Sequence, residues 1–196
     1  MSKSLKLAAL YPDHLNLNGD VANFLVLQKR LQWQGHAAEI VSLTSSSNLS
    51  DFDVVLAGHG SIAAWADIKR IDPEIIKNVL NFIDSGKSAL VIASAYDQLA
   101  EEVLGSKNRT GSHRSEFVKT SEGIVGYLNT DSNEEVLRWH KNSLFTLLHG
   151  PVFVKNPELA DEFIIKSGLV KEIQPNIHSI EIDELARASR KIAFEN

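Results

Sequence analysis

The sequence predicts an α/β fold, a mostly parallel sheet with helices wound over both of its faces, and three observations carry that expectation. Strand-like and helical patterns alternate from the first residues onward, the signature of strands joined by crossover helices. The runs at Leu5 to Leu10 and Ser88 to Ala93 are short and continuously apolar, as expected of strands buried on both faces. The 196 residues, 43% of them hydrophobic, suffice for one sizeable core and hardly for two. A single domain over residues 1–196 is therefore expected, with 170–196 open to being an appended helix.

The elements follow in order. Residues 5 to 10 read as the first strand. Val21, Phe24, Leu25, Gln28 and Leu31 recur at helical spacing over 21–34, Asp20 can cap that helix, and Gly35 stands where it should stop. Ala38 to Leu43 and Asp53 to Ala57 read as the second and third strands. Over 73–85 the signals agree. Asp72 can cap, Pro73 suits the first turn, Ile75, Ile76, Val79, Leu80 and Ile83 form a stripe, and Gly86 ends it. Ser88 to Ala93 is the fourth strand and Tyr96 to Leu104 the helix after it. Lys107 to Ser115 is polar and reads as an exposed loop. Gly123 to Leu128 and Ser143 to Leu148 read as strands, the second delivering His149 at its end. Glu134 to His140 reads as a short surface helix or turn. Pro157 to Ser167 reads as a helix capped by Asn156. Glu181 to Ala193 reads as a last amphipathic helix, with packing against its own domain favoured over a partner-binding role.

Composition excludes several function classes. A net charge of -5 without a basic block speaks against nucleic acid and anionic membrane surfaces as partners. Neither the N-terminal apolar run nor any later stretch approaches a signal peptide or the roughly 20 apolar residues of a membrane span. With no cysteine there is no disulfide, and the cytoplasm is the simplest compartment. The seven histidines show no zinc-like spacing, so no metal and no cofactor is expected.

In an open α/β sheet, ligands collect outside the carboxyl ends of the strands. Four turns there are chemically distinctive. The first runs from Tyr11-Pro12-Asp13-His14 through Asn16 and Asn18-Gly19-Asp20 to Asn23. The next is Gly58-His59-Gly60-Ser61, whose glycines would let backbone N–H groups approach an oxyanion. Then come Ile92-Ala93-Ser94-Ala95-Tyr96 and Leu148-His149-Gly150-Pro151. Asp13, Asn16, Asp20 and Asn23 could bind a polar ligand, although capping and turn formation account for them.

The opening block, Leu10-Tyr11-Pro12-Asp13 through Asn16, Gly19, Asp20 and Asn23, and the closing block, Leu148-His149-Gly150-Pro151 with Lys155-Asn156-Pro157-Glu158-Leu159-Ala160-Asp161, together resemble the class I glutamine amidotransferases of the cobyric-acid-synthase type. Within that family they are most similar to the small glutaminase subunits that serve a Mur-ligase-like synthetase in amidating lipid II, the peptidoglycan precursor. The resemblance spans roughly residues 5–165 and implies a flavodoxin-like, doubly wound fold of the class I amidotransferase type. It also implies a cell-wall role and a Mur-ligase-like partner.

The departures lie where the family's chemistry should be. The family's fourth strand ends in a cysteine followed by two glycines, a tyrosine and a glutamine; here Ala93, Ser94, Ala95, Tyr96 and Asp97 stand in those places. A methyl group cannot form a glutamyl thioester, so Ala93 marks a missing nucleophile. The family's oxyanion loop is represented by Gly58, His59 and Gly60, with an imidazole where a small residue is expected, which argues against glutamine as ligand. The stretch from Gly105 to Gly123 is shorter than in the family, and no substrate-binding role passes to Arg109 or Arg114. An engineered Cys→Ala exchange would account for Ala93 but not for Ser94, Ala95, Asp97 and His59. Ser94 as a serine nucleophile sits poorly, since an elbow needs small residues two before and two after it and here those are Ile92 and Tyr96. His149 reads either as the former general base facing position 93 or as a histidine kept for the Gly150-Pro151 turn. The expectation is a homologue without glutaminase activity that binds a partner, or a small ligand through Ser94 and Tyr96. The alternatives are a residual amidotransferase and a Ser94-dependent hydrolase.

Overall fold

The computed structural model describes residues 4–104 and 109–195. Five parallel strands form the centre of the molecule: β1 (Leu5–Leu10), β2 (Ala38–Leu43), β3 (Val54–Ala57), β4 (Ser88–Ile92) and β8 (Ser143–Thr146). A sixth strand, β7 (Leu137–His140), closes one edge antiparallel to β8, giving the order β2-β1-β3-β4-β8-β7. Side chains alternate along these strands, so each strand feeds two cores. Leu7, Ala9, Val54, Leu56, Leu90 and Ile92 pack against α1 (Ala22–Trp33), α5 (Val152–Lys155) and α6 (Pro157–Lys166). Ala8, Leu10, Val55, Ala57, Ala89 and Val91 pack against α2 (Ile62–Ile71), α3 (Ile75–Asp84) and α4 (Ser94–Leu104). The fold class expected from the alternation is the one observed.

A second, antiparallel sheet stands apart from this frame. It consists of β5 (Arg109–Lys119), β6 (Val125–Ser132) and the two-residue β9 (Leu148–His149), in the order β5-β6-β9. The chain leaves β8 at Thr146, crosses at Leu147, and pairs Leu148 and His149 with Leu128 and Tyr127. His149 therefore hangs from the ribbon and not from the end of a main-sheet strand, which corrects the sequence reading.

Other expectations are corrected as well. Of the loop expected over Lys107 to Ser115, residues 107–108 lie outside the described residues and the rest begins β5, an edge strand whose first half is polar and gives no apolar alternation. Glu134 to His140 ends in strand β7, because Leu137 and Trp139 point the same way onto the α6 core, with Trp139 stacked on Phe163. The helix α2 is an element that the apolar spacing does not announce. Its cap is Ser61, whose Oγ accepts from the Ala64 N–H, and its buried face is Trp65 and Ile68. None of the proposed caps Asp20, Asp72 and Asn156 bonds its helix terminus through the side chain; each holds a more distant segment. Asp72 accepts from the Tyr11 hydroxyl and the Ser46 N–H, and Asn156 clasps both backbone groups of Val125. On α1 the buried face is Phe24, Leu27 and Leu31 with Asn23 and Arg30, while Leu25 is exposed. Gly35 and Gly86 do stop their helices, at φ 79° and 88°.

The last helix, α7 (Ile177–Glu195), is longer than its expected span. Arg30, buried, makes a two-pronged pair with Asp161 at 2.6 and 2.5 Å and reaches Asp183 at 2.9 Å, so one guanidinium ties α1, α6 and α7 together. Among the described residues, no helix is long and apolar enough to cross a membrane.

Candidate functional site

Parallel topology brings the first three distinctive turns together at the carboxyl end of the main sheet, and β9 of the second sheet carries the fourth, with His149 against His59. Ala93 ends β4 with φ 49°, a left-handed conformation that costs a residue with a Cβ on the order of 1 kcal/mol and turns the chain sharply into α4. The Ala93 N–H donates to the Thr146 carbonyl at 2.7 Å, which seats the bend against β8. The elbow geometry is thus present at position 93, with a buried methyl group at its apex.

Three amides around this elbow, those of His59, Gly60 and Ser94, are engaged by the chain's own side chains. The His59 N–H donates to Asp20 Oδ2 at 2.9 Å. The Gly60 N–H donates to Ser94 Oγ at 2.9 Å. The Ser94 N–H, at the start of α4, donates to His59 Nδ1 at 3.3 Å. Ser94 Oγ also accepts from Trp65 Nε1 at 2.8 Å, so this hydroxyl oxygen serves as a double acceptor.

The glycines of the third-strand loop have a steric cause. A Cβ at Gly58 would lie 2.1 Å from the Leu15 carbonyl oxygen, and one at Gly60 would lie 2.7 Å from that of His14. The turn after β1 presses its backbone onto this loop, and Leu17 N–H donates to the His59 carbonyl at 3.1 Å. Close approach of chain to chain, and not of chain to an anion, is what these glycines permit.

His149 is buried and held at both nitrogens. Asn18 Nδ2 donates to its Nδ1 at 2.7 Å, and its Nε2 lies 3.0 Å from the Asn129 carbonyl oxygen. The carbonyl can only accept, so the proton of the neutral ring resides on Nε2. Its ring meets that of His59 edge-on, with centroids 4.5 Å apart. Burial lowers both imidazoles below the ordinary histidine value, His59 to about 4 with help from His149, and so two neutral rings share the pocket. Asp20 is pushed the other way, up to about 6, because burial outweighs the N–H groups of His59 and Gly150. Tyr96 is fully buried with its ring against Phe145 at 5.2 Å, inside the core and away from any groove.

An open groove of about 570 Å³ lies beside the elbow, lined by His59, Gly60, Ser94, Trp65, Asp97 and Asp131 among others. Ala93 and His149 are not among its walls. Asn16 and Asn23 are taken up by structure: Asn16 accepts from the Val21 N–H, while Asn23 bonds Asp20, Gly150 and Phe153 backbone atoms. Asn18, Trp65 and Asn129 are the participants that sequence reasoning did not single out. Asn18 sits within the quoted first turn, but nothing in the sequence signals that Asn129 meets His149, since that contact depends on the ribbon. No group of three or more potential metal-ligating side chains occurs among the described residues.

No family profile matches the sequence. The chain is 21% identical to the lipid II isoglutaminyl synthase (glutamine-hydrolyzing) subunit GatD of Staphylococcus aureus, an alignment covering 79% of this chain and 81% of that protein. Its fold is similar to that of a glutamine amidotransferase crystal structure at TM-score 0.50 and 16% identity, covering 82% of this chain and 98% of the other. A glutamine amidotransferase from Thermotoga maritima matches at TM-score 0.51 and 12% identity, covering 97% and 93%. At such identities the structural matches concern the fold alone. This chain is a distant homologue of GatD on the class I glutamine amidotransferase fold, and it has no cysteine.

Proposed function

We propose that this protein is a glutamine amidotransferase-like protein without glutaminase activity, retained for binding a Mur-ligase-like synthetase rather than for chemistry of its own. The observation that carries this reading is the closed state of the elbow. Covalent glutamine hydrolysis needs a nucleophile, a base to activate it and donors aimed at the developing oxyanion. Ala93 offers no nucleophile. His149, in the place of the base, already spends both nitrogens on Asn18 and Asn129. The amides of His59, Gly60 and Ser94 are capped by Asp20, Ser94 and His59. A missing nucleophile, an occupied imidazole and three capped amides together leave none of the three requirements met.

Ser94 fares no better as a substitute nucleophile. Its oxygen accepts two hydrogen bonds, and the histidine beside it bonds its backbone N–H and not its hydroxyl. The synthetase partner is supported by the relationship to a protein whose name makes it a subunit of such an enzyme. A glutaminase assay on the pure protein tests the first half: ammonia release should equal that of a His149→Ala variant, and release well above it overturns the reading. For the second half, the tagged protein is isolated from native extract. A Mur-ligase-like protein should accompany it, and its absence removes the partner assignment.

A further inference from the structure

The open groove beside the elbow is walled by neutral side chains whose remaining hydrogen-bonding capacity is of one kind. A hydroxyl offers two lone pairs and one proton. At Ser94 the lone pairs are taken by the Gly60 N–H at 2.9 Å and the Trp65 indole N–H at 2.8 Å, so the proton alone is left to give. His59 is neutral and accepts the Ser94 N–H on Nδ1 at 3.3 Å, so its own proton sits on Nε2 and that nitrogen can only donate. Gln98 accepts from Lys69 Nζ through Oε1 at 2.5 Å, which leaves it the two amide protons of Nε2. All three side chains are partly exposed and line the same groove. Among the described residues, no acceptor receives the Ser94 hydroxyl proton, His59 Nε2 or Gln98 Nε2.

Charge narrows what such a wall can hold. An ammonium group would bring further donors and leave Ser94, His59 and Gln98 unmatched. Asp97 and Asp131, which also line the groove, already interact within the chain, so neither calls for a ligand cation. An anion would match the donors but would meet those two carboxylates with Lys69 as the one lining cation. An uncharged acceptor, a carbonyl oxygen, meets both conditions. The rest of the wall is apolar: Ile62, 92% exposed, with Ala66 and the edge of Trp65. At about 570 Å³ the groove has the size of a small-molecule site. His59 and Ser94 stand where the resembled family carries small residues, so these donors are this chain's own.

We infer that this groove binds a small uncharged carbonyl compound, with its oxygen among Ser94, His59 and Gln98 and its apolar body against Ile62, Ala66 and Trp65. Glutamine, which carries both an ammonium and a carboxylate, does not answer to that description. The site rests on the filled hydrogen bonds of the unreactive elbow, and because it is read by binding and not by ammonia release, the two readings fail separately.

The test is a titration of the full-length, isotope-labelled protein followed by nuclear magnetic resonance, with three probes of similar size. These are 2-pyrrolidinone, a neutral lactam; pyrrolidinium, the same ring as a cation without an acceptor; and butyrate, an anion. 2-Pyrrolidinone should shift the Trp65 indole, the Gly60 and Ser94 amides and the Gln98 side-chain amide together and saturably, with a dissociation constant on the order of millimolar for so small a ligand. Butyrate should bind at least about tenfold more weakly, and pyrrolidinium should leave these resonances in place. Gln98→Met keeps the length of the side chain and removes its donors; with a spectrum that shows the fold unchanged, it should weaken 2-pyrrolidinone about fivefold or more. An equal response to pyrrolidinium or butyrate overturns the site. So does the absence of saturable shifts, a set of shifts scattered away from the groove, or a Gln98→Met protein that binds as well as its parent.

Discussion

Replacing Ala93 by cysteine restores the missing atom and nothing else. The backbone should accept it, because alanine and cysteine both carry a Cβ and bear the same strain at φ 49°. A thiol at its ordinary pKa is only about 3% thiolate at neutral pH. Burial at position 93 lowers that fraction further. Activation would have to come from His149, whose Nδ1 and Nε2 are taken, and a missing general base costs about 10²- to 10⁴-fold. The nearest amide donor, Ser94 N–H, faces His59 Nδ1, and an absent oxyanion donor costs about 10²- to 10³-fold. Together these place Ala93→Cys about 10⁴- to 10⁷-fold below a site with base and donor in place. In a coupled ammonia assay with glutamine the variant should be silent, while mass spectrometry should show slow alkylation of the new thiol by iodoacetamide. Adding His59→Gly frees the Ser94 N–H and should recover up to about 10³-fold. Ammonia release by Ala93→Cys alone, abolished by His149→Ala, would refute the reasoning, because it would mean the caps open for substrate.

Other outcomes follow from the same geometry. Arg30→Ala strands Asp161 and Asp183 and should destabilise the protein by about 3–5 kcal/mol in urea unfolding, with faster proteolysis before α7; an effect below about 1 kcal/mol would assign the cluster to the surface class. Ser94→Ala leaves the Gly60 N–H and the Trp65 indole N–H without their acceptor and should cost about 1–3 kcal/mol while changing no hydrolytic activity; loss of an esterase activity would revive Ser94 as nucleophile. The pH response should split between neighbours. Asp20 at about 6 binds its proton more tightly folded than unfolded, so its contribution rises as pH falls from 7 to 5. His59 at about 4 binds its proton more weakly folded, so its contribution is lost over the same interval. Each is worth about 1–2 kcal/mol, with opposite sign. Asp20→Asn should therefore make the protein more acid-sensitive between pH 7 and 5 and His59→Asn less so, as read by unfolding at both values; parallel pH dependences would exclude the pair as the cause.

The order of helices and strands was legible because apolar periodicity is a local property. So was the convergence of the turns after β1, β3 and β4, since parallel strands bring their carboxyl ends to one edge. The lack of any thiol needed only the composition, which contains no cysteine. What escaped the sequence was every relation set by non-local partners. Edge strands β5 and β7 and helix α2 have weak patterns of their own and exist because β6, β8 and the α3 core receive them. The capping of three amides depends on Asp20, His59 and Ser94 arriving from three different turns. His149 loses its freedom to Asn129, which lies on β6 just beyond the Gly123 to Leu128 strand that the sequence announced, and only the pairing of β6 with β9 brings the two together. Likewise, α7 reads as an amphipathic helix, and its sequence alone invites the conclusion that the apolar stripe faces inward. The structure instead seats it through ion pairs, Asp183 on the buried Arg30 of α1 and Arg190 on Glu158 of α6, partners that lie far apart in the sequence. Sequence alone decided which residues are available; the tertiary structure decided which of them are already spent on one another, since hydrogen-bond capacity is finite and only folding assigns it.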